Sequence, residues 1–308
     1  MKSHMKNNDL TSCLNSELNP DTIGLSDMDT RSLLTTINQA DSTVAEIIRQ
    51  VIPDISAAID QIATRIAQGG RLFYVGAGTS GRLAVLDSAE CPPTFGTDPE
   101  LVQSIIAGGH AAMLHAVENV EDSATESIVE LKQRNACADD IIIGLAASGR
   151  TPFTLAAIEY GNQLGALTIA ITTRGPGPIS QIAQMAISPD VGPEVLSGST
   201  RMKSGTAQKM MLGMISTGVM VRLGKVHRNL MVDVIASNEK LERRAERIVS
   251  EICGISQSEA ARYLSYVDYK PRLAILMNEL GVSVETAKSI AEQQKYRSLQ
   301  QQLNDNAA

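Results

Sequence analysis

Short apolar runs alternate along this chain with stretches whose apolar residues recur at helical spacing. The run Leu72 to Val75 is too short and too apolar for anything but a buried strand. Further strands are predicted at 101–107, 140–146, 167–172 and 185–188, with helices at 82–89, 111–118, 124–134, 152–164 and 177–183. Strands separated by helical segments make parallel βαβ units, so the fold class is α/β with a doubly wound parallel sheet. Helical periodicity also fills Thr30 to Ala67, where Pro53 predicts a kink or a restart and Gly69-Gly70 a stop. These helices flank the sheet on its N-terminal side. After the sheet, a helix running to Gly224 is apolar on nearly every face, and its methionines suit core or dimer packing. Beyond Asn238 the pattern turns charged and helical. Gly254 ends one helix, Ser256 to Glu259 reads as a capping box, and helices at 256–265, 270–280 and 284–295 predict a small three-helix unit before a polar tail. The expected division is 1–60 for the arm and first helices, 61–224 for the sheet domain and 225–308 for the C-terminal helical region. Residues 6–30 read as a flexible arm with a turn at Asn19-Pro20-Asp21, and MKSHM reads as an expression leader ahead of a second start at Met5.

The loops after the strands carry the chemistry. Gly76 and Gly78 let the backbone turn sharply after the first strand, and Thr79 and Ser80 put two hydroxyls there. The following helix is expected to stop soon after Glu90, because Pro92 disfavours the α region for its predecessor. Free N–H groups and the positive dipole end at the start of that helix favour an anion, most simply a phosphate. Gly76, Gly78 and Gly81 also match G-x-G-x-x-G, but the next strand runs into Gly108-Gly109-His110 without the carboxylate that would hold a ribose. No Gly-Lys-Ser/Thr follows, so a phosphate loop without a nucleotide is the reading, against a plain tight turn. Ser148, Gly149, Arg150 and Thr151 repeat this arrangement before Pro152, with an ordinary helix cap as the alternative. Both loops follow strands and so fall on the edge where such sheets bind ligands. A third stretch, Gly192 to Lys209, gathers Ser199, Arg201, Lys203 and Lys209 among small residues. Arg201 or Lys203 is expected to meet an anionic part of a substrate, unless the stretch is only a solvated basic turn.

Composition narrows the classes. The chain has 308 residues, 43% of them hydrophobic but only 3% aromatic, which suits aliphatic helices on a parallel sheet. A net charge of −7 argues against nucleic acid or an anionic membrane as partner. Cys13, Cys91, Cys137 and Cys253 are far apart, so neither a zinc site nor a disulfide is expected. Without an apolar leader or an 18-residue apolar run, the expectation is a cytoplasmic protein.

Taken together, DSAECPPTFG, IAGG, HAVENVEDS, AASGRTP and GPEVLSGSTRMKSGTAQK resemble the bacterial N-acetylmuramic acid 6-phosphate etherases, a family built on the sugar isomerase (SIS) domain. The glucokinase regulatory proteins share a similar GSTR-K-GTA segment. The resemblance runs from about residue 19 to the C-terminal helices. It implies a homodimer acting on a phosphorylated amino sugar, with no metal and no cofactor. The implied reaction removes D-lactate from the C3 ether of N-acetylmuramate 6-phosphate and leaves N-acetylglucosamine 6-phosphate. It also implies Glu90 and Glu121 as the catalytic pair, Glu90 as the acid at the departing lactate and Glu121 as the base at C2. Burial and the helix C-terminus would raise the Glu90 pKa. Sequence alone does not separate Glu121 from Glu118 or Asp122. The rival readings are an aldose–ketose isomerase on the same fold and a non-catalytic phosphosugar-sensing regulator.

Overall fold

The computed structural model describes residues 17–307. The MKSHM leader, most of the predicted arm and Cys13 lie outside them. Five strands form one sheet: β1 (Leu72–Gly76), β2 (Val102–Ile106), β3 (Ile141–Leu145), β4 (Leu167–Ile171) and β5 (Met185–Ile187), in the order β2-β1-β3-β4-β5. The β1–β3, β3–β4 and β4–β5 pairings are parallel, with Leu72 opposite Ile141 and Ile141 opposite Leu167. Every residue of β1, β3 and β4 is buried, which is why these strands read as continuous apolar runs. Phe73, Val75 and Ile142 pack on one face with Leu131, Phe153, Ala157 and Ile158. Each of these side chains other than Ala157 contributes about 1.5–3 kcal/mol on full burial.

The helices before and within the sheet region are α1 (Thr30–Ser42), α2 (Val44–Gln50), α3 (Ile52–Ala67), α4 (Gly78–Phe95), α5 (Ala111–Leu114), α6 (Glu126–Gln133), α7 (Pro152–Leu164), α8 (Pro178–Ile182) and α9 (Lys203–Arg222). Pro53 lies in the first turn of α3 and so marks a restart, not a kink. The predicted turn at Asn19 is a 3-10 turn, Pro20–Thr22, capped by the Asn19 side chain.

Two expected boundaries are corrected. Helix α4 does not stop near Glu90; it continues through Pro92 and Pro93 to Phe95. The φ of proline is helical, and the bias on its predecessor is overcome because Cys91 and Phe95 are buried and the Cys91 thiol donates to the Asp87 carbonyl. The helix predicted at 111–118 is a single turn, α5, followed by an extended His115 and a loop.

By contacts the described residues form two compact units. One takes those up to Ala58 with Leu72–Val85 and Ser104–Met214; the other takes Ile59–Arg71, Leu86–Gln103 and the residues from Ile215 on. The second contains α10 (Glu239–Cys253), α11 (Gln257–Ser265), α12 (Pro271–Leu280), α13 (Val284–Gln293) and α14 (Leu299–Asn306). The stretch predicted as a polar tail is therefore helical. Ser298 and Gln301 form a capping box, and Leu299 and Gln302 are fully buried. The core of this unit includes Val232, Val249, Leu264, Ile275 and Leu299.

Candidate active site

The strand order reverses between β1 and β3, the point at which open α/β sheets bind ligands beyond their strand ends. A cavity of about 440 Å³ opens there. The first unit alone supplies its lining, and the loops after β1, β2 and β3 all contribute to it.

From the β1 side come Gly78, Thr79, Ser80 and Arg82. Gly78 has φ +53°, a left-handed conformation that few side chains accept, and it opens α4. Residues 78–80 form the first turn of α4, so their N–H groups have no acceptor within the helix. Ser80 is buried and is one of the residues that line the cavity. From the β3 side come Ser148 and Thr151. Thr151 is the N-cap residue of α7, yet its side chain makes no capping hydrogen bond, so the ordinary-cap reading does not hold. Gly149 lies beneath this loop, at φ +70°, and a Cβ there would come within 3.0 Å of Gly177 Cα and Thr172 Cγ2. It shapes the loop and does not line the cavity. Arg150 is exposed and outside the lining, as is the partly buried Ser199.

Glu118 and Glu121 both line the cavity, whereas Asp122 does not. Glu121 sits in a 3-10 turn, Val120–Asp122, which follows Asn119 at φ 62°. Two groups that the sequence reading passed over fix this loop. Arg82 donates from Nε to the Met113 carbonyl at 3.3 Å and from Nη2 to the His115 carbonyl at 3.0 Å. The Gly108 N–H donates to Glu126 Oε1 at 3.2 Å. The arginine directly after the glycine loop was the available signal. Among the lining residues Arg82 is the one cation, against the carboxylates of Glu17, Glu118 and Glu121. An anion here would depend on N–H dipoles and hydroxyls more than on cations.

The basic stretch before α9 is arranged differently from the expectation. Lys203 is buried and its Nζ donates to the Val191 carbonyl at 2.6 Å. The N-terminus of α9 is occupied by the fully buried Glu194, whose oxygens accept from the N–H groups of Lys203 at 2.9 Å and Ser204 at 3.0 Å. Arg201 is exposed and, like Lys203, is outside the lining; Gly198 and Thr200 are what this loop contributes. Glu194 was hidden in the sequence because its partners lie nine and ten residues away.

Glu90 lies on the same helix as Ser80 but in the second unit. Helix α4 is continuous between them, and that span rises about 15 Å. Contrary to the expected burial at a helix end, Glu90 is exposed and lies inside the helix, which ends at Phe95. Beside it, burial, together with Asp87 and Glu90, pushes the Cys91 thiol up to about 12, which leaves it unreactive at neutral pH.

Among the described residues no three His, Cys, Asp or Glu side chains converge as a metal site, and no helix is long and apolar enough to cross a membrane.

The hydroxyl loops at the reversal of the parallel sheet fall within two family matches that give the class, a SIS domain. Residues 54–162 match the glucokinase regulatory protein N-terminal SIS domain, and residues 119–217 match the SIS domain. In fold the chain is similar to a phosphoheptose isomerase from Francisella tularensis, with a TM-score of 0.48 and 18% identity over 62% of this chain and 98% of that one. The chain is 52% identical over 270 residues to the N-acetylmuramic acid 6-phosphate etherase of Yersinia pestis (strain Pestoides F), covering 88% of this chain and 92% of the relative. The enzyme of Yersinia pseudotuberculosis (serotype O:3, strain YPIII) matches equally, at 52%. The chain belongs to the N-acetylmuramic acid 6-phosphate etherase family.

Proposed function

We infer that this chain is a carbon–oxygen lyase that releases D-lactate from N-acetylmuramate 6-phosphate, leaving N-acetylglucosamine 6-phosphate. The observation that supports this most is one cavity joining the Ser80 and Ser148 loops to the Glu121 carboxylate. In the open-chain sugar the C1 aldehyde acidifies the C2 proton. A carboxylate takes that proton, and the C3–O bond breaks, with its electron pair leaving on the lactate oxygen as an acid protonates it. Water then adds to C3 of the unsaturated aldehyde and C2 regains a proton. In this reading Glu121 is the base, and Glu90, from the partner subunit of a homodimer, is the acid. The α4 N-terminus with the hydroxyls of Thr79, Ser80, Ser148 and Thr151 holds the phosphate. A phosphorylated sugar as substrate suits a cytoplasmic enzyme. The test is to incubate the protein with N-acetylmuramate 6-phosphate and assay D-lactate. Formation of a ketose without lactate would instead make it an isomerase.

Two binding predictions arise here. Ser80→Ala and Ser148→Ala should each raise the dissociation constant for the phosphosugar about tenfold or more, since a hydrogen bond to a charged group contributes roughly 1.5–3 kcal/mol. Titration calorimetry with the product sugar phosphate measures this, and unchanged affinity in both variants would place the phosphate elsewhere. The second prediction separates Arg201 from Lys203. Arg201 is exposed and outside the cavity lining, so of the two it is the one that could meet a lactyl carboxylate projecting beyond the cavity wall, and Arg201→Ala should raise KM about tenfold at unchanged Tm. Lys203→Met should instead lower Tm by several degrees, because the Val191 carbonyl loses its donor. The opposite pattern in paired melting and kinetic measurements would reverse the assignment.

A further inference from the structure

We propose that the C-terminal helical unit holds a second ligand site, which binds a small organic anion with an apolar body and uses the Lys225 ammonium as its charge anchor. A cavity of about 510 Å³ lies wholly within the second unit, between the segment around Asp233, the start of α12 and the face of α13 that carries Lys288 and Glu292. That volume is in the range of small-molecule sites. It is not part of the cavity at the sheet, whose lining belongs entirely to the other unit.

Charge on its wall sets the ligand class. Lys225 is 8% exposed, and the ion partner of its Nζ is Asp233 Oδ2 at 3.4 Å. Asp233 is already committed elsewhere. Arg272 donates from Nε to Oδ1 at 2.6 Å and from Nη2 to Oδ2 at 2.9 Å. The other Arg272 donors reach the Gly224 carbonyl at 2.6 Å and Gln302 Oε1 at 3.0 Å, so this guanidinium is a structural clamp with little left for a ligand. Lys225, Asp233 and Arg272 together carry two positive charges and one negative, in a setting where an uncompensated charge is costly. Lys225 has three N–H donors and one long ion pair, and it lines the cavity. An anion entering there would complete its coordination. Among the exposed lining residues Lys270, Lys288 and Lys295 outnumber Asp268 and Glu292, so the wall stays positive as a whole, in a chain whose net charge is −7. Val232, Val234, Pro271 and Leu273 supply apolar wall, which matches a carboxylate or phosphate monoester on a hydrocarbon or ring better than a bare inorganic ion.

The test uses the full-length protein and two probes, hexanoate and phenyl phosphate, at fixed ionic strength, with binding read by saturation-transfer NMR. At least one probe should bind saturably, and Lys225→Met should weaken it about tenfold or more. The Ser80→Ala/Ser148→Ala double variant should bind it as wild type does, since its changes lie in the other unit. A Lys288→Glu/Lys295→Glu variant, altered only at exposed positions, should also bind more weakly, and it carries the test if Lys225→Met fails to fold. Absence of saturable binding by either probe up to about 10 mM overturns the proposal. So does binding that survives these lysine changes, or binding lost in the Ser80/Ser148 variant alone.

Discussion

Replacing Glu121 by glutamine is expected to lower kcat for lactate release about 10²–10⁴-fold with little change in KM, the loss typical of a positioned base. Glutamine keeps the shape and polarity of the side chain but cannot take the C2 proton. The expectation rests on placement. Glu121 lines the cavity from a short 3-10 turn, downstream of the 113–115 segment whose carbonyls accept from Arg82. Glu118 lines the same cavity and provides the internal comparison. Glu118→Gln should retain most of the activity. A large loss in Glu118→Gln beside an active Glu121→Gln, in the same steady-state assay, would transfer the base to Glu118.

The second large effect is a recovery. In the homodimer proposed above, Glu90→Ala and Ser80→Ala/Ser148→Ala variants should each be nearly inactive, and an equal mixture after subunit exchange should regain about a quarter of wild-type activity. In that proposed arrangement half of the randomly paired dimers would be mixed, and each mixed dimer would have one site with intact loops facing an intact Glu90. The argument is geometric. Because α4 runs unbroken through Asp87 and Ser88, the helix does not fold back there to return Glu90 to its own Ser80. The rise of about 15 Å between them exceeds the few bonds that separate C3 from the phosphate on C6. A two-fold axis close to this helix would bring the Glu90 of one subunit to the loops of the other. No recovery, with exchange verified by mixed-tag pull-down, would put Glu90 at its own subunit's site.

How legible the molecule was from sequence follows from what each residue contacts. The strands were readable because β1, β3 and β4 are buried throughout, and full burial leaves an uninterrupted apolar run. The hydroxyl loops were readable because glycine and proline punctuate them where the strands end. Helix α14 was not, because Gln302 is buried by polar contacts: its side chain accepts from Arg272 and donates to the Gln294 carbonyl. Hydropathy records such a residue as surface. The end of α4 was misplaced because proline statistics are local, while the burial of Cys91 and Phe95 is not. At the site, Glu118, Glu121 and Asp122 are neighbours in sequence, and only the left-handed Asn119 and the turn after it decide which of them reach the cavity. Lys203 looked like a ligand because its acceptor, the Val191 carbonyl, is a backbone atom that sequence chemistry does not display.

The most direct test of the central claim is cleavage of N-acetylmuramate 6-phosphate in ¹⁸O-labelled water, with both products analysed by mass. Elimination followed by hydration predicts unlabelled D-lactate and N-acetylglucosamine 6-phosphate carrying the new oxygen at C3. Label in the lactate, or conversion of the sugar without any lactate released, would contradict it.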